Sequence, residues 1–431
     1  MISNLNTPFL VKHPEWIKNA TIYEIHTRQF TKSGTLSELK IHLPRIKSLG
    51  VDILWLMPVQ PIGIKNRKGE LGSPYAIRDY VSVNEELGTL DDLKSLVLEA
   101  HKLGLYVILD WVANHTAWDH CWIEQHPDYY TRDWNGNIVH PANTDWFDVA
   151  DLNFNNKALR HEMIESLKFW IKEADIDGFR CDMAGLVPVD FWDQAREELD
   201  KVKKVFMLAE AEQPEMHFKA FDMTYNWACH HLMNEIAWGK KWVFHLDDFF
   251  FRDNLTYPQT ALRLNFTCNH DENKNAGSSY ERLGAAHDAF LVLTFTIPGT
   301  PLIFGGQEAG LNRKLLFFDK DEIDWSKTDD YTPLYQSLVK LRKNNIALWS
   351  GIEGGRMQRI YTNRNDKVFA FYRENKGNTV LVIINFSHDS IECMVDFTMK
   401  DQNLKNYFNP GESLSEMLLL QPWSYKIYIN R

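Results

Sequence analysis

The chain has 431 residues, 44% hydrophobic and 24% charged, with a formal net charge of −11 at pH 7. That length suits two or three domains, or one barrel-sized domain with a smaller companion, and the acidic balance excludes a general nucleic-acid partner. No run of about 18 apolar residues marks a membrane span, no basic start and apolar run marks a signal peptide, and the five cysteines are scattered without a CxxC pair, so free thiols and a cytoplasmic location are expected.

Residues 20–30 predict a first strand. Thr35-Leu36-Ser37-Glu38 has the form of a capping box. It opens a predicted helix to about Ser48, with Leu36, Leu39, Leu43, Ile46 and Leu49 on its apolar stripe. Gly50 ends it. Val51 to Met57 is a near-continuous apolar strand, as in a parallel sheet covered on both faces. A glycine-containing loop follows, carrying Gly72-Ser73-Pro74-Tyr75. A second capping box, Thr89 to Asp92, opens a helix that Gly104 stops, and Leu105 to Asp110 is the third strand. Strand and helix repeating every 30 residues or so imply right-handed parallel crossovers.

The alternation breaks over 112–157, where Trp118, Trp122, Tyr129, Tyr130, Trp134, Trp146 and Phe147 lie among Asn, Asp, Pro and Gly. This stretch is too long for an ordinary loop and reads as a small irregular insert. Its rings read either as a satellite core or as a wall on which sugars stack. The alternation then resumes: a helix near 158–174, a fourth strand at 176–182, a helix near 189–202, a fifth strand at 205–210 and a sixth at 221–225. An aromatic helical region at 227–260 precedes a seventh strand at 263–268. A long apolar helix at 279–296, an eighth strand at 301–304 and a last helix at 332–348 complete the series. Eight such units predict an α/β fold, a closed (β/α)8 TIM barrel. The alternative, an open doubly wound sheet, wants a Gly-rich phosphate loop after its first strand, and none stands there. From about 351 the period changes to strands without intervening helices, so a C-terminal antiparallel β-sandwich is expected. The expected division is barrel at 1–111, insert at 112–157, remaining barrel at 158–350 and β domain at 351–431.

Chemistry-bearing residues gather at the predicted strand ends. In Asp177-Gly178-Phe179-Arg180-Cys181-Asp182, Arg180 and Asp182 are two apart and project to the same side. Arg180 is expected to hold Asp182 ionised and oriented, as a carboxylate nucleophile requires. A structural ion pair has the same spacing. The third strand carries Asp110, which reads as structural, with Asn114 and His115 just beyond it. The fifth strand carries Glu210, with Glu212 on the same face as a second candidate acid. The seventh leads into Asn269-His270-Asp271, and Gln307 and Glu308 follow the eighth. In a barrel these ends converge on one face. The aromatic content, 13% with 15 Trp, exceeds what a core needs and suits the apolar C–H faces of sugar rings.

Asp110-Trp111-Val112-Ala113-Asn114-His115, Gly178-Phe179-Arg180-Cys181-Asp182, Ala209-Glu210 and Phe266-Thr267-Cys268-Asn269-His270-Asp271 resemble, in order and in barrel position, the four motifs of the alpha-amylase family of glycoside hydrolases, family 13. Gly50 to Pro58 and Gly306-Gln307-Glu308 are similar to its auxiliary motifs, and Gly72 to Tyr75 resembles its sugar-stacking tyrosine loop. The resemblance implies a retaining hydrolase of alpha-glucosidic, mainly alpha-1,4, linkages in starch-derived glucans or maltooligosaccharides. It implies Asp182 as nucleophile, Glu210 as acid and base, and Asp271 as the partner of the sugar's hydroxyls. Tyr75, His115, Arg180 and His270 are then substrate-binding residues, the partner is an oligo- or polysaccharide, and the chemistry requires no cofactor.

The chain departs from the family where many starch-degrading members carry Lys-His after the nucleophile. Gly185 and Leu186 stand there, and the usual basic contact to a leaving-side sugar is missing. A glucanotransferase, a sucrose- or trehalose-type isomerase, and a non-catalytic sugar-binding member therefore remain as alternatives. A structural Ca2+ is implied through Asn114, with Asp145, Asp148 or Asp151 of the insert as further ligands.

Overall fold

Eight parallel strands close on themselves in sequence order: β1 (Ile22–Ile25), β2 (Ile53–Leu56), β3 (Tyr106–Val112), β4 (Gly178–Asp182), β5 (Phe206–Ala209), β6 (Met223–Tyr225), β7 (Leu262–Asn265) and β8 (Thr300–Phe304). The computed structural model describes residues 11–395 and 403–430. Closure runs through Ile22 paired with Leu302. The strands read as unbroken apolar runs because both faces are covered. Ile22, Ile53, Trp55, Ile108, Phe206, Leu208, Met223, Leu264 and Leu302 fill the interior, while Leu54, Leu109, Phe179 and Met207 pack outward under the helices. At β4 the inward residues are Gly178, Arg180 and, at the rim, Asp182. A Cβ at Gly178 would lie 2.0 Å from the Phe206 carbonyl oxygen, so only glycine lets β4 and β5 approach here. The register sets Asp110 beside Arg180 and Val112 beside Asp182, and Cys181 beside Ala209. Acidic strand ends are thus brought to one rim.

Local departures from the sequence expectation have local causes. The first strand stops at Ile25, and Thr27–Phe30 forms a helical turn. Its buried Gln29 donates to the carbonyls of Leu316 and Asp319 in the loop after β8. The helix expected over 36–48 breaks at His42 into Leu36–Ile41 and Leu43–Ser48, because Pro44 has no N–H to continue the ladder. Thr35 caps the first piece by accepting from the Glu38 N–H, but the Glu38 carboxylate turns to the Ser33 N–H at 2.8 Å and the box is not closed. Thr89 and Asp92, in contrast, form the full reciprocal box. The apolar helix of 279–296 is interrupted after Leu283 by Gly284, whose φ is +52°. The 227–260 region resolves into helices Trp227–Ala237 and Phe244–Thr256.

The segment after β3 contains a short antiparallel pair, His115–Ala117 with Val149–Asp151. The rings of this segment divide by burial. Trp122, Tyr129 and Tyr130 are buried in the main core. Trp146 is half-buried beside His115. Trp134 is 93% exposed and Phe147 61%. Beyond the barrel come β9 (Met357–Ile360), β10 (Val368–Asn375), β11 (Asn378–Asn385), β12 (Ile391–Met394), β13 (Lys405–Asn406), β14 (Met417–Leu420) and β15 (Tyr425–Ile429). They form a five-stranded antiparallel sheet ordered β9-β10-β11-β15-β13 and a two-stranded sheet β12-β14. Val368, Leu381, Ile391 and Leu418 of the two sheets share one apolar layer. Among the described residues the cysteine thiols are free, and no helix is long and apolar enough to cross a membrane.

Candidate active site

Arg180 is the hub of the barrel rim. Its side chain is fully buried, and its guanidinium is shared among several carboxylates. Nη1 donates to Asp110 Oδ1 and to Asp182 Oδ1, both at 2.9 Å. Nη2 lies 2.8 Å from Glu210 Oε2, an ion-pair contact without hydrogen-bond alignment. Nε donates to the Tyr225 hydroxyl at 3.1 Å, and the Trp55 ring lies 5.0 Å from the guanidinium carbon. Asp110 is saturated from behind. It also accepts from Trp55 Nε1 and from the Tyr75 hydroxyl, both at 3.0 Å, and it has no exposed surface. Its place is structural, as the sequence suggested.

Asp182 and Glu210 leave adjacent strands and face one cleft with Asp271. Tyr75, His115, Trp146 and His270 also line the cleft, so carboxylates, imidazoles and aromatic rings converge on one opening. Glu210 Oε2 accepts the Met183 N–H at 2.9 Å. Met183 turns that N–H back by adopting a left-handed conformation, φ +41°, immediately after Asp182. His270 is clamped on both nitrogens. Nδ1 is 2.5 Å from Glu24 Oε1, while Nε2 is 2.8 Å from the Tyr75 hydroxyl and 3.2 Å from Asp271 Oδ2. The Tyr75 ring stacks with His270 at 5.4 Å and lies parallel to Phe317 at 6.3 Å.

The electrostatics follow from burial and from an excess of carboxyl groups. Desolvation raises Asp182 well above the usual carboxylate range. Arg180 opposes it, while Glu210, Asp110 and Asp271 add to it. Desolvation also raises Glu210, against Arg180 and with Asp271. Arg180 favours the ionised form of Asp182, but its charge is divided among Asp110, Asp182 and Glu210, and burial opposes it. Asp182 and Glu210 titrate as a pair, each pushed upward by burial. Burial works against Asp271 too, yet His270, then Arg180 and Lys274, hold it below its ordinary value. Burial would lower His270, but Asp271 and Glu24 on either side raise it well above the usual imidazole value. His115 is pushed down to about 4 by burial, which outweighs Asp148, and is neutral at pH 7.

The family model for the alpha amylase catalytic domain matches residues 18–344, from just before β1 to the end of the last barrel helix. The chain belongs to the alpha-amylase family. It is 28% identical to alpha-amylase MalA of Haloarcula japonica over 87% of this chain, and spans 56% of that relative's length. It is 26% identical to alpha-amylase 3 of Dictyoglomus thermophilum over 95% of this chain and 93% of that protein. Among solved structures, AmyB of Thermotoga neapolitana, a noncanonic maltogenic alpha-amylase, superposes with a TM-score of 0.87 at 31% identity, covering 96% of this chain and 99% of that one.

Other positions of this alpha-amylase family member fall out as follows. Glu212 is not on a strand. It pairs with Arg263 at 2.9 Å and accepts the Ala228 N–H, so it is not a second acid of the cleft. Gln307 donates to Thr267 and Ser279, and Glu308 pairs with Arg45 at 3.0 Å, so both brace the barrel. Of the calcium ligands implied by the family, Asp148 faces a lysine of the chain itself. The Asn114 amide lies 3.3 Å from His115 Nδ1. Asp148 is paired with Lys68 Nζ at 3.0 Å, and the same ammonium donates to the Asp145 carbonyl at 3.0 Å. Among the described residues no three His, Cys, Asp or Glu side chains converge to hold a metal. A lysine supplies the positive charge there.

Sequence reasoning missed Glu24, Lys68, Lys274, Phe317 and Phe318. Glu24 had a signal, a lone carboxylate inside the apolar run Ile22-Tyr23-Glu24-Ile25. The Lys274 ammonium sits 4.5 Å from the Phe317 ring and 5.0 Å from Phe318. The two rings belong to an irregular loop with no periodicity to read.

Proposed function

We propose that the protein is a retaining glycoside hydrolase that cleaves alpha-1,4-glucosidic linkages in starch-derived glucans or maltooligosaccharides through a covalent glycosyl-enzyme. The observation that carries this reading is the Asp182–Glu210 pair, held on the two arms of one guanidinium and facing Asp271 across a cleft. A retaining pair works at a carboxyl separation of roughly 5–5.5 Å, and two groups anchored on one guanidinium are compatible with that shorter class.

In this reading Asp182 attacks the anomeric carbon while Glu210 protonates the departing oxygen. Glu210 then takes a proton from water, which releases the sugar from Asp182. The aligned Arg180 bond goes to Asp182 and the unaligned contact to Glu210, which supports ionised Asp182 and protonated Glu210 as the starting pair. Asp271, kept ionised by His270, binds ring hydroxyls and favours the distorted, oxocarbenium-like sugar. Tyr75 stacks beneath that ring, and neutral His115 hydrogen-bonds to it next to Trp146. The name of the Thermotoga neapolitana relative supports maltose-sized products. The free, scattered thiols support a reducing, cytoplasmic setting.

Transfer to a sugar hydroxyl in place of water is the second reading. It is favoured by Leu186, 54% exposed in the turn just after Asp182, where an apolar contact replaces a basic one. Product analysis on maltoheptaose and starch separates the two. Short reducing sugars alone support hydrolysis, and chain-lengthened products support transfer. Binding without turnover would overturn both in favour of a sugar-binding protein.

A further inference from the structure

Glu24 occupies an unusual place for a carboxylate. It shares the inward face of β1 with Ile22, inside the barrel and directly under the cleft, with no exposed surface. Oε1 lies 2.5 Å from His270 Nδ1 and 3.4 Å from the His270 main-chain nitrogen, while Oε2 is buried without a partner. A half-satisfied carboxylate in such a place is costly unless a cation faces it.

Counting donors shows what that cation is. Asp110 takes the Tyr75 hydroxyl proton at 3.0 Å, alongside the Trp55 and Arg180 donors. A phenol has one proton, so the Tyr75 oxygen has none left for His270 Nε2 at 2.8 Å. Nε2 must itself carry a hydrogen, to face the Tyr75 oxygen and Asp271 Oδ2. Nδ1 must carry one to face Glu24. With Glu24 ionised, both nitrogens donate and the ring is an imidazolium.

We propose that Glu24 is a positioning residue that keeps His270 doubly protonated and oriented, so that Nε2–H is fixed as a donor on the floor of the sugar site and Asp271 stays ionised beside it. This rests on the glycosidase reading only for its consequence in turnover; the protonation state stands on the geometry. The groups that face His270 from the elements around it are consistent. Glu24 on β1 and Asp271 favour the cation. Burial of the ring opposes it, while His26 after β1, held well below the usual imidazole value by its own burial, adds no opposing charge. Asp110 acts through Tyr75, and Glu210 lies across the cleft, its proton affinity lowered by the same imidazolium.

The test is Glu24→Gln, which preserves shape and an acceptor oxygen but removes the charge. The protein is labelled with 15N-histidine and the His270 signal is identified by its loss in His270→Gln. In the wild type His270 is expected to carry both ring protons at pH 8. In Glu24→Gln its titration midpoint should fall by about one pH unit or more, and the alkaline limb of kcat/KM on maltoheptaose should move down with it, while activity at acidic pH approaches the wild type's. An unchanged midpoint overturns the proposal even if the enzyme turns over normally. A shifted midpoint in a protein that hydrolyses nothing leaves the proposal standing and removes the glycosidase reading. Should Glu24→Gln fail to fold, the wild-type spectrum decides, since a neutral His270 at pH 7 overturns the proposal.

Discussion

Asp182 is buried among Arg180, Asp110, Glu210 and Asp271, and that crowding sets opposite demands on chemistry and on stability. A carboxyl whose folded pKa lies above its unfolded value is harder to ionise in the folded state. It therefore costs stability once the pH exceeds the unfolded value, and the cost is full above the folded one. Asp182→Asn removes the charge and keeps the shape, and Arg180 retains Asp110 and Glu210 as partners. Turnover should fall at least about 1000-fold, because an amide is no nucleophile, while maltooligosaccharide binding persists. The thermal midpoint at pH 7 should match or exceed the wild type's, and the difference should vanish near pH 3, where the unfolded chain's aspartate is also protonated. Retained turnover would remove Asp182 from its role, and a large drop in midpoint at pH 7 would contradict the sign of its shift. Glu210 does not share this simplicity. Its Oε2 accepts a main-chain N–H from Met183, so an alteration there also disturbs the turn that follows Asp182.

At the level of strands and inserts, the approach of β4 to β5 decides whether the pair of acids meets. Gly178 sits where a methyl group would overlap the Phe206 carbonyl oxygen. Gly178→Ala should push β4 and β5 apart and cost about 1–3 kcal/mol, read as a lower urea midpoint with reduced turnover. An unchanged midpoint would mean the strands shift freely. The insert carries a separate expectation. Lys68 lies between Asp148 and the Asp145 carbonyl, so EDTA should leave the thermal midpoint unchanged, and a fall on chelation would assign a metal elsewhere. These elements also mark what sequence could tell. Barrel strands were readable because residues such as Leu54, Leu109 and Phe179 are buried on the outer face as fully as Trp55 and Ile108 on the inner. Breaks at Pro44 and Gly284 were not, since apolar periodicity runs straight through both. Asp182, Glu210 and Asp271 were legible as strand-end acids. The sharing of Arg180 and the clamp of Glu24 on His270 were not, because both depend on contacts between strands far apart in the chain.

The C-terminal sheet meets the barrel through a shared apolar core, and two buried arginines lie in that seam. Arg342, in the last barrel helix (Thr328–Asn344), donates to the carbonyls of Ala20 and Leu348 and to the Ser350 hydroxyl. Arg373 reaches the same place from β10. It donates to the carbonyls of Thr296 and Ile297, where the helix before β8 ends, and to those of Leu348, Trp349 and Gly355 at distances of 2.7–3.3 Å. One guanidinium thus satisfies carbonyls that the end of a helix leaves open, with the sign of charge that a helix C-terminus favours. It also fastens the C-terminal sheet to the barrel. Arg373→Met fills much of the same space but takes the guanidinium donors from the carbonyls of Thr296, Ile297, Trp349 and Gly355, while Leu348 keeps Arg342. The expected cost is about 3 kcal/mol or more, read as a lower thermal midpoint. In calorimetry the wild type should unfold as a single transition, because the seam couples sheet to barrel. In Arg373→Met the sheet should melt first, in a transition of its own. The cleft lies at the other end of the strands, so turnover below that first transition should stay close to the wild type's. Two transitions in the wild type, or a midpoint untouched by the substitution, would show that the sheet is held to the barrel by apolar packing and that Arg373 adds nothing to it.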